Sequence, residues 1–298
     1  MSSSIQVEKV SKIYRKKIAL DQLSLNIGEN KLTGIVGRNG VGKTTLLKLI
    51  TGFIKPTSGQ IKVLGLPPFN QLEVSEKTVY VDDHMYFSPS LTLQEILAHG
   101  ESFYPNWNME LAQRLLNYFS INLKQSHAQL SKGTKSTFNV IFGLATAAEI
   151  TVLDEPTTGM DLSVRQDFYR ALIKDYIQTP RTILLSSHHL DEIENLIEDV
   201  VLIDKGKVKL HVPIEELKQY AIAITGEAKG VREWAEHMNV LSEKKLTDAS
   251  ITLIVKNSDA DQVEKAKRLG FKVSAVSASD TCVYLTDEKK GGIEDVFK

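Results

Sequence analysis

The stretch "GRNGVGKT" (37 to 44) sets a glycine, four residues, then Gly-Lys-Thr. This is the spacing of a loop that turns backbone N–H groups inward around phosphate oxygens. Gly37, Gly40 and Gly42 permit the backbone angles such a loop needs, Lys43 can reach the β and γ phosphates of a nucleotide, and the Thr44 hydroxyl can ligate Mg²⁺. Asn39 and Thr45 join them as candidate nucleotide contacts. A second group, "ITVLDE" (150 to 155), is an apolar run ending in two adjacent carboxylates. At the carboxyl end of a strand both can face a ligand crevice, Asp154 to hold the Mg²⁺ shell and Glu155 to orient and deprotonate an attacking water. A third, "LLSSHH" (184 to 189), puts His188 at another strand end, where an imidazole can hydrogen-bond a γ-phosphate; His189, one residue on, is expected to face away.

These groups need a scaffold that gathers strand ends at one edge. Short apolar runs with turn signals between residues 5 and 36 read as strands leading into "LTGIVG", and a helix is expected from Thr44 to near Gly52. Further strands are expected at "TVYVDD", "EITVLDE", "TILLSSHH" and "DVVLIDKG", separated by helical stretches such as "DLSVRQDFYRALIKDY". That alternation predicts an α/β layer with a largely parallel sheet. From about Ser88 to Ala148 the spacing is helical with no strand, which reads as a helical insertion. After Gly206 the pattern changes to strand-like "AIAIT", helix-like "GVREWAEHM", strand-like "ITLIVKN", helix-like "DADQVEKAKRLG", then strand-like "FKVSAVSA" and "CVYLTD". This predicts a small α+β domain over 212–298 behind a nucleotide-binding domain over 1–210, with no catalytic constellation of its own.

Composition narrows the function. Lys plus Arg number 36 against 37 for Asp plus Glu, so a net charge of -1 offers no general attraction to nucleic acid, and no nucleic-acid partner is expected. The basic turn around Lys12, Arg15, Lys16 and Lys17 reads as a solvated surface. The single cysteine, Cys282, reads as a bystander on a strand and fits a reducing cytosol. The N-terminus turns charged before any stretch of signal-peptide length, and the longest near-apolar run, "VIFGLATAA" (140 to 148), is far short of the roughly 20 residues that cross a bilayer. Action at a membrane is therefore expected to need a partner that spans it.

With "LSKGT" (130 to 134) ahead of the Asp-Glu strand, these motifs resemble those of the nucleotide-binding subunit of ATP-binding cassette (ABC) transporters, over residues 5 to about 210. The resemblance implies a P-loop α/β core with a helical subdomain, ATP and Mg²⁺ as ligands, and ATP hydrolysis. In that family the signature, commonly "LSGGQ", starts a helix that meets the γ-phosphate bound to the opposite subunit. This implies that Ser131 and Gly133 serve a partner's site, with Lys132 and Thr134 departing from the common form. The segment 11 to 20 implies Tyr14 as the aromatic stacked on adenine, and "TTGMD" (157 to 161) implies Asp161 as the anchor of a loop crossing the dimer interface. In "YVDDHMYFSPSLTLQEIL" (80 to 97) Asp83 occupies the position of a Gln that usually contacts Mg²⁺.

"FYPNWN" (103 to 108), "LSKGTK" and the terminal "GGIEDVFK" resemble a bacterial exporter branch whose ATPase and membrane subunits are separate. The expected protein is thus an ATPase at the cytoplasmic face of the membrane. It works as a homodimer or as a heterodimer with a related ATPase, and drives export of a peptide, antibiotic or similar amphiphile through an integral membrane subunit. The alternatives are a soluble ABC ATPase acting on ribosomes or DNA, against which stand the one phosphate loop and the lack of a heptad insertion, and a lone phosphate-loop kinase or GTPase, which leaves "LSKGT" and His188 without a role.

Overall fold

The computed structural model describes residues 3–257 and 260–287; the terminal "GGIEDVFK" (291 to 298) lies outside them. Strands β1 (Ser3–Tyr14) and β2 (Lys17–Gly28) form an antiparallel pair. The five residues of β3 (Leu32–Val36) are all buried, as expected of a central strand covered on both faces. Helix α1 (Lys43–Ile50) follows, and β4 (Ser58–Val63) returns antiparallel to β1, giving a three-stranded sheet of order β2-β1-β4. Helix α2 (Leu72–Lys77) leads into β5 (Thr78–Val81).

Three helices then run without a strand: α3 (Leu93–Phe103), α4 (Met109–Tyr118) and, after a 3-10 turn at His127–Gln129, α5 (Lys132–Ala145). A capping box at Thr92, with Glu95 reaching back, starts α3, and Asn108 caps α4. Their apolar faces share a core around Leu97, Leu116, Phe138 and Phe142. Strand β6 (Ile150–Asp154), helix α6 (Leu162–Gln178), β7 (Thr182–Ser187), the short α7 (Leu190–Ile193), β8 (Asp199–Asp204) and β9 (Lys207–Pro213) follow.

The second sheet has the order β5-β6-β7-β3-β8-β9, and the pairs from β5 through β8 are parallel. Asp154 lies opposite Ser186, and Ser186 opposite Ile35, so β6, β7 and β3 end together. The loop after β3, the carboxylates ending β6 and the histidine after β7 therefore emerge at one edge, where an open parallel sheet binds ligands. Leu46, Leu47, Leu49 and Ile50 of α1 belong to a core shared by strands of both sheets.

The chain divides into two compact units: the first runs to His188 and resumes over Asn195–His211, and the second comprises His189–Glu194 and the chain from Val212. The second unit holds α8 (Ile214–Lys218), β10 (Ala221–Glu227), α9 (Ala228–Trp234), β11 (Val240–Lys245), β12 (Ser250–Lys256), α10 (Ala260–Arg268), β13 (Lys272–Ala275) and α11 (Ala278–Thr286). Its sheet, β11-β12-β10-β13, is antiparallel throughout. From β10 to β13 the order is the split βαββαβ arrangement. Ile224, Ile251, Leu253 and Val255 pack with Val231 and Ala266 in its core.

One expected element is different. "CVYLTD" lies in and just after α11 rather than in a strand, because Ser277 caps that helix by accepting the Asp280 N–H at 3.0 Å. Cys282 is consequently on a helix, and burial pushes its thiol up to about 12.

Candidate active site

Gly42 is the residue that lets the phosphate-type loop enter α1. Its φ of 114° is left-handed, and a Cβ there would stand 2.6 Å from the Ala19 carbonyl oxygen and 2.7 Å from Leu20 Cδ2. The loop can therefore press against β2 only with glycine at this position. Lys43 then points back into the loop and donates from Nζ to the Gly37 carbonyl at 2.7 Å. Its side chain is 6% exposed, and its charge is met by Glu155 Oε1 at 3.4 Å. The other Glu155 oxygen, Oε2, accepts from His188 Nδ1 at 2.8 Å. Glu155 can reach both because its backbone turns left-handed (φ 48°), with its N–H held by Ser186 Oγ at 2.9 Å. Lys43, Glu155 and His188 thus form one continuous chain across the ends of β3, β6 and β7.

Beside this chain lies a cavity of about 260 Å³ lined by Tyr14, Asn39, Gly40, Gly42, Lys43, Thr44, Thr45 and Glu155, with Lys17 and Ala19. Tyr14, at the end of β1, is 44% exposed, and Lys12 Nζ lies over its ring, 5.1 Å from the centre.

Asp154 is buried and doubly bonded. Tyr80 donates to its Oδ2 at 2.8 Å, and Ser186 donates to its Oδ1. Burial, and after it the adjoining Asp154 carboxylate, hold the Tyr80 phenol far above its usual range, which keeps it a donor. Among the described residues no group of three or more His, Cys, Asp or Glu side chains could by itself hold a metal. Thr44 lines the cavity beside Lys43, whereas Asp154 is buried at the end of β6 and is not among the residues lining it. A hydroxyl and a carboxylate are the kind of oxygen donors Mg²⁺ takes, one or two from the protein with water and substrate phosphates completing its shell.

Ser131 and Gly133 do not line that cavity. They border another of about 260 Å³ with Thr134, Gly159, Met160 and Asp161. Ser131 caps α5, accepting the Thr134 N–H at 3.2 Å, and Asp161 caps α6, accepting the Val164 N–H at 2.9 Å. A Cβ on Gly133 would fall 2.5 Å from the Gly159 carbonyl oxygen, so the start of α5 and the loop before α6 touch through bare backbone. Asp83 is also elsewhere: its Oδ2 lies 3.8 Å from Lys132 Nζ and its Oδ1 3.4 Å from His84 Nε2.

The profile of the ABC transporter family matches residues 20–158. The bacitracin transport ATP-binding protein BcrA of Bacillus licheniformis is 30% identical over 222 residues, which is 74% of this chain and 72% of that protein. The chain belongs to the ABC transporter ATP-binding family. YcbN, an uncharacterised ABC transporter ATP-binding protein of Bacillus subtilis (strain 168), is 26% identical over 310 residues, spanning 100% of this chain and 96% of its own length, so the match includes the second unit. A dimeric ATP-binding cassette solved with ADP and phosphate superposes with a TM-score of 0.63 at 21% identity, covering 70% of this chain and 98% of that one.

As an ABC ATP-binding subunit the protein binds and hydrolyses ATP and serves transport. ABC ATPases work as dimers paired with membrane subunits, and no helix among the described residues is long and apolar enough to cross a membrane. Two residues at the candidate site were not singled out from the sequence. Tyr80 and Ser186, which hold Asp154 from two sides, carried no distinguishing signal: each shares its short buried strand with other hydroxyl residues, Thr78 in β5 and Thr182 and Ser187 in β7.

Proposed function

We propose that this chain is the MgATP-hydrolysing subunit of an exporter, acting at the cytoplasmic face of the membrane on a separate integral membrane subunit. Lys43 and the loop N–H groups hold the phosphates, Tyr14 stacks on the base, and Thr44 and Asp154 hold Mg²⁺. Stacking of this kind contributes about 1–3 kcal/mol. Glu155 orients and deprotonates the water, and His188 holds Glu155 and senses the γ-phosphate. The observation that carries the reading is the Lys43–Glu155–His188 chain at the mouth of the loop. Export of an antibiotic or similar amphiphile is supported by the likeness to BcrA, a protein named for bacitracin transport.

The second cavity completes the proposal. Ser131, Gly133 and Asp161 lie outside the cavity of Lys43. Their α5 N-terminus therefore meets a γ-phosphate only when a second subunit, another copy or a related ATPase, presents one.

Glu155→Gln tests both parts. It keeps the side chain's shape and removes the base, a change of about 10² to 10⁴ in rate. With ATP, but not ADP, this variant should accumulate as a dimer by size-exclusion chromatography with light scattering. Adding Ser131→Arg should split that dimer while each subunit still binds ATP. A double variant that dimerises as well as the single one would refute the role of Ser131 in the partner's site.

A further inference from the structure

Helix α5 begins against the grain of helix electrostatics. Its first turn, "KGTK", carries Lys132 and Lys135 and no acidic residue, although the N-terminal end of a helix dipole favours negative charge. The missing negative charge comes from another element: Asp83, just after β5, places Oδ2 3.8 Å from Lys132 Nζ. A second tie joins the same two elements, since Asn139 of α5 donates to the Asp82 carbonyl at 3.0 Å while its own oxygen is held by His127 Nε2 at 2.8 Å. The lysine stem has a defined bed as well. A Cβ on Gly159 would lie 3.0 Å from Lys132 Cγ, so the stem runs along that glycine toward Asp83. Lys132 and Asp83 are, moreover, two places where the sequence departs from the common ABC pattern, one adding a positive charge and the other a negative one.

We propose that Asp83 and Lys132 are a compensating pair that fixes the start of α5, with Asp83 a positioning residue for Ser131 and Gly133 and not a ligand of Mg²⁺. The consequence for the partner's γ-phosphate rests on the dimer reading above; the pairing itself does not.

The test uses the full chain and the variants Asp83→Asn, Lys132→Met, their combination, and the reversed pair Asp83→Lys with Lys132→Asp. Hydrogen exchange is followed without nucleotide at the Thr134 and Lys135 amides, which bond to Ser131 Oγ and to the Ser131 carbonyl. Asp83→Asn should speed exchange there about 1.5- to 5-fold, the range of an exposed ion pair, in the parent but not in the Lys132→Met background, where the helix start has also lost a charge that its dipole disfavours. The combination should therefore match Lys132→Met alone and the reversed pair should be at least as protected as the parent, with β6 amides unchanged as a check on folding. Multiplicative single effects would overturn the pairing. So would a rise in the Mg²⁺ concentration that half-saturates hydrolysis in Asp83→Asn with none in Lys132→Met. If exchange is coupled as expected but ATP-driven dimerisation of the Glu155→Gln protein is the same in all four variants, the pair stands and the trans-acting role of α5 falls.

Discussion

Tyr80→Phe isolates one bond at the carboxylate proposed to hold Mg²⁺. The ring is retained, so no cavity opens, and only the hydroxyl that donates to Asp154 Oδ2 at 2.8 Å is lost. Both side chains are buried, Tyr80 at 8% and Asp154 at 5% exposure, so water cannot readily replace that donor, and Ser186 alone is left on the carboxylate. A hydrogen bond to a charged group contributes about 1.5–3 kcal/mol. At about 2–4 °C per kcal/mol for a unit of this size, the melting transition of the first unit should fall by roughly 3–12 °C. Differential scanning calorimetry of parent and variant, first in EDTA and then in MgATP, gives the decisive comparison. The deficit should shrink in MgATP, because a cation beside Asp154 supplies the positive partner that the phenol had provided. An unchanged melting temperature in EDTA would refute the energetic reading of the bond, and an equal deficit in both buffers would refute the placement of Mg²⁺ at Asp154.

Gly42→Ala forces a side chain into a left-handed backbone against the Ala19 carbonyl; strain of about 1–3 kcal/mol should appear in urea unfolding, with ATP affinity by calorimetry reduced at least about tenfold. Lys43→Ala removes a charge-assisted phosphate contact of about 1.5–3 kcal/mol, so ATP should bind roughly 10- to 150-fold more weakly while circular dichroism is unchanged. His127 titrates below the ordinary imidazole range, chiefly through burial and against the opposing hydrogen bond to Asn139, with Lys135 adding to the depression. The fold therefore favours the uncharged ring. The stability this contributes is present above the ordinary value of 6.5 and is lost as pH falls from there through the depressed folded value. Urea midpoints at descending pH should drop less steeply in His127→Gln than in the parent.

The parts of the site legible in the sequence are those where one residue type serves one geometry. A loop that must turn left-handed at Gly42 and carry a cation at Lys43 admits few sequences, and strands buried on both faces announce themselves as unbroken apolar runs. Side-chain direction was harder to read. Asp82 and Asp83 are adjacent carboxylates, and spacing does not reveal that Asp82 lies 3.9 Å from Lys48 while Asp83 lies beside Lys132. The strand expected at "CVYLTD" failed for a related reason: Val, Tyr and Leu suit a pleated surface, but the Ser277 cap four residues before Thr281 and the packing of α11 decide for helix. The left-handed turn at Glu155, a non-glycine residue, has no sequence signature at all, yet it is what brings the carboxylate to Lys43 and His188 at once.

The Lys43–Glu155 contact makes the loop behave as an ion exchanger. The cation of the loop is neutralised by the carboxylate proposed as the base, 3.4 Å away. A phosphate at Lys43 would compete with that carboxylate for the same positive charge, so binding of the nucleotide and freeing of the base are two sides of one exchange. Glu155→Gln, which weakens the internal counter-ion, should therefore bind ATP more tightly than the parent even in the first moments of mixing, before any difference in hydrolysis can accumulate.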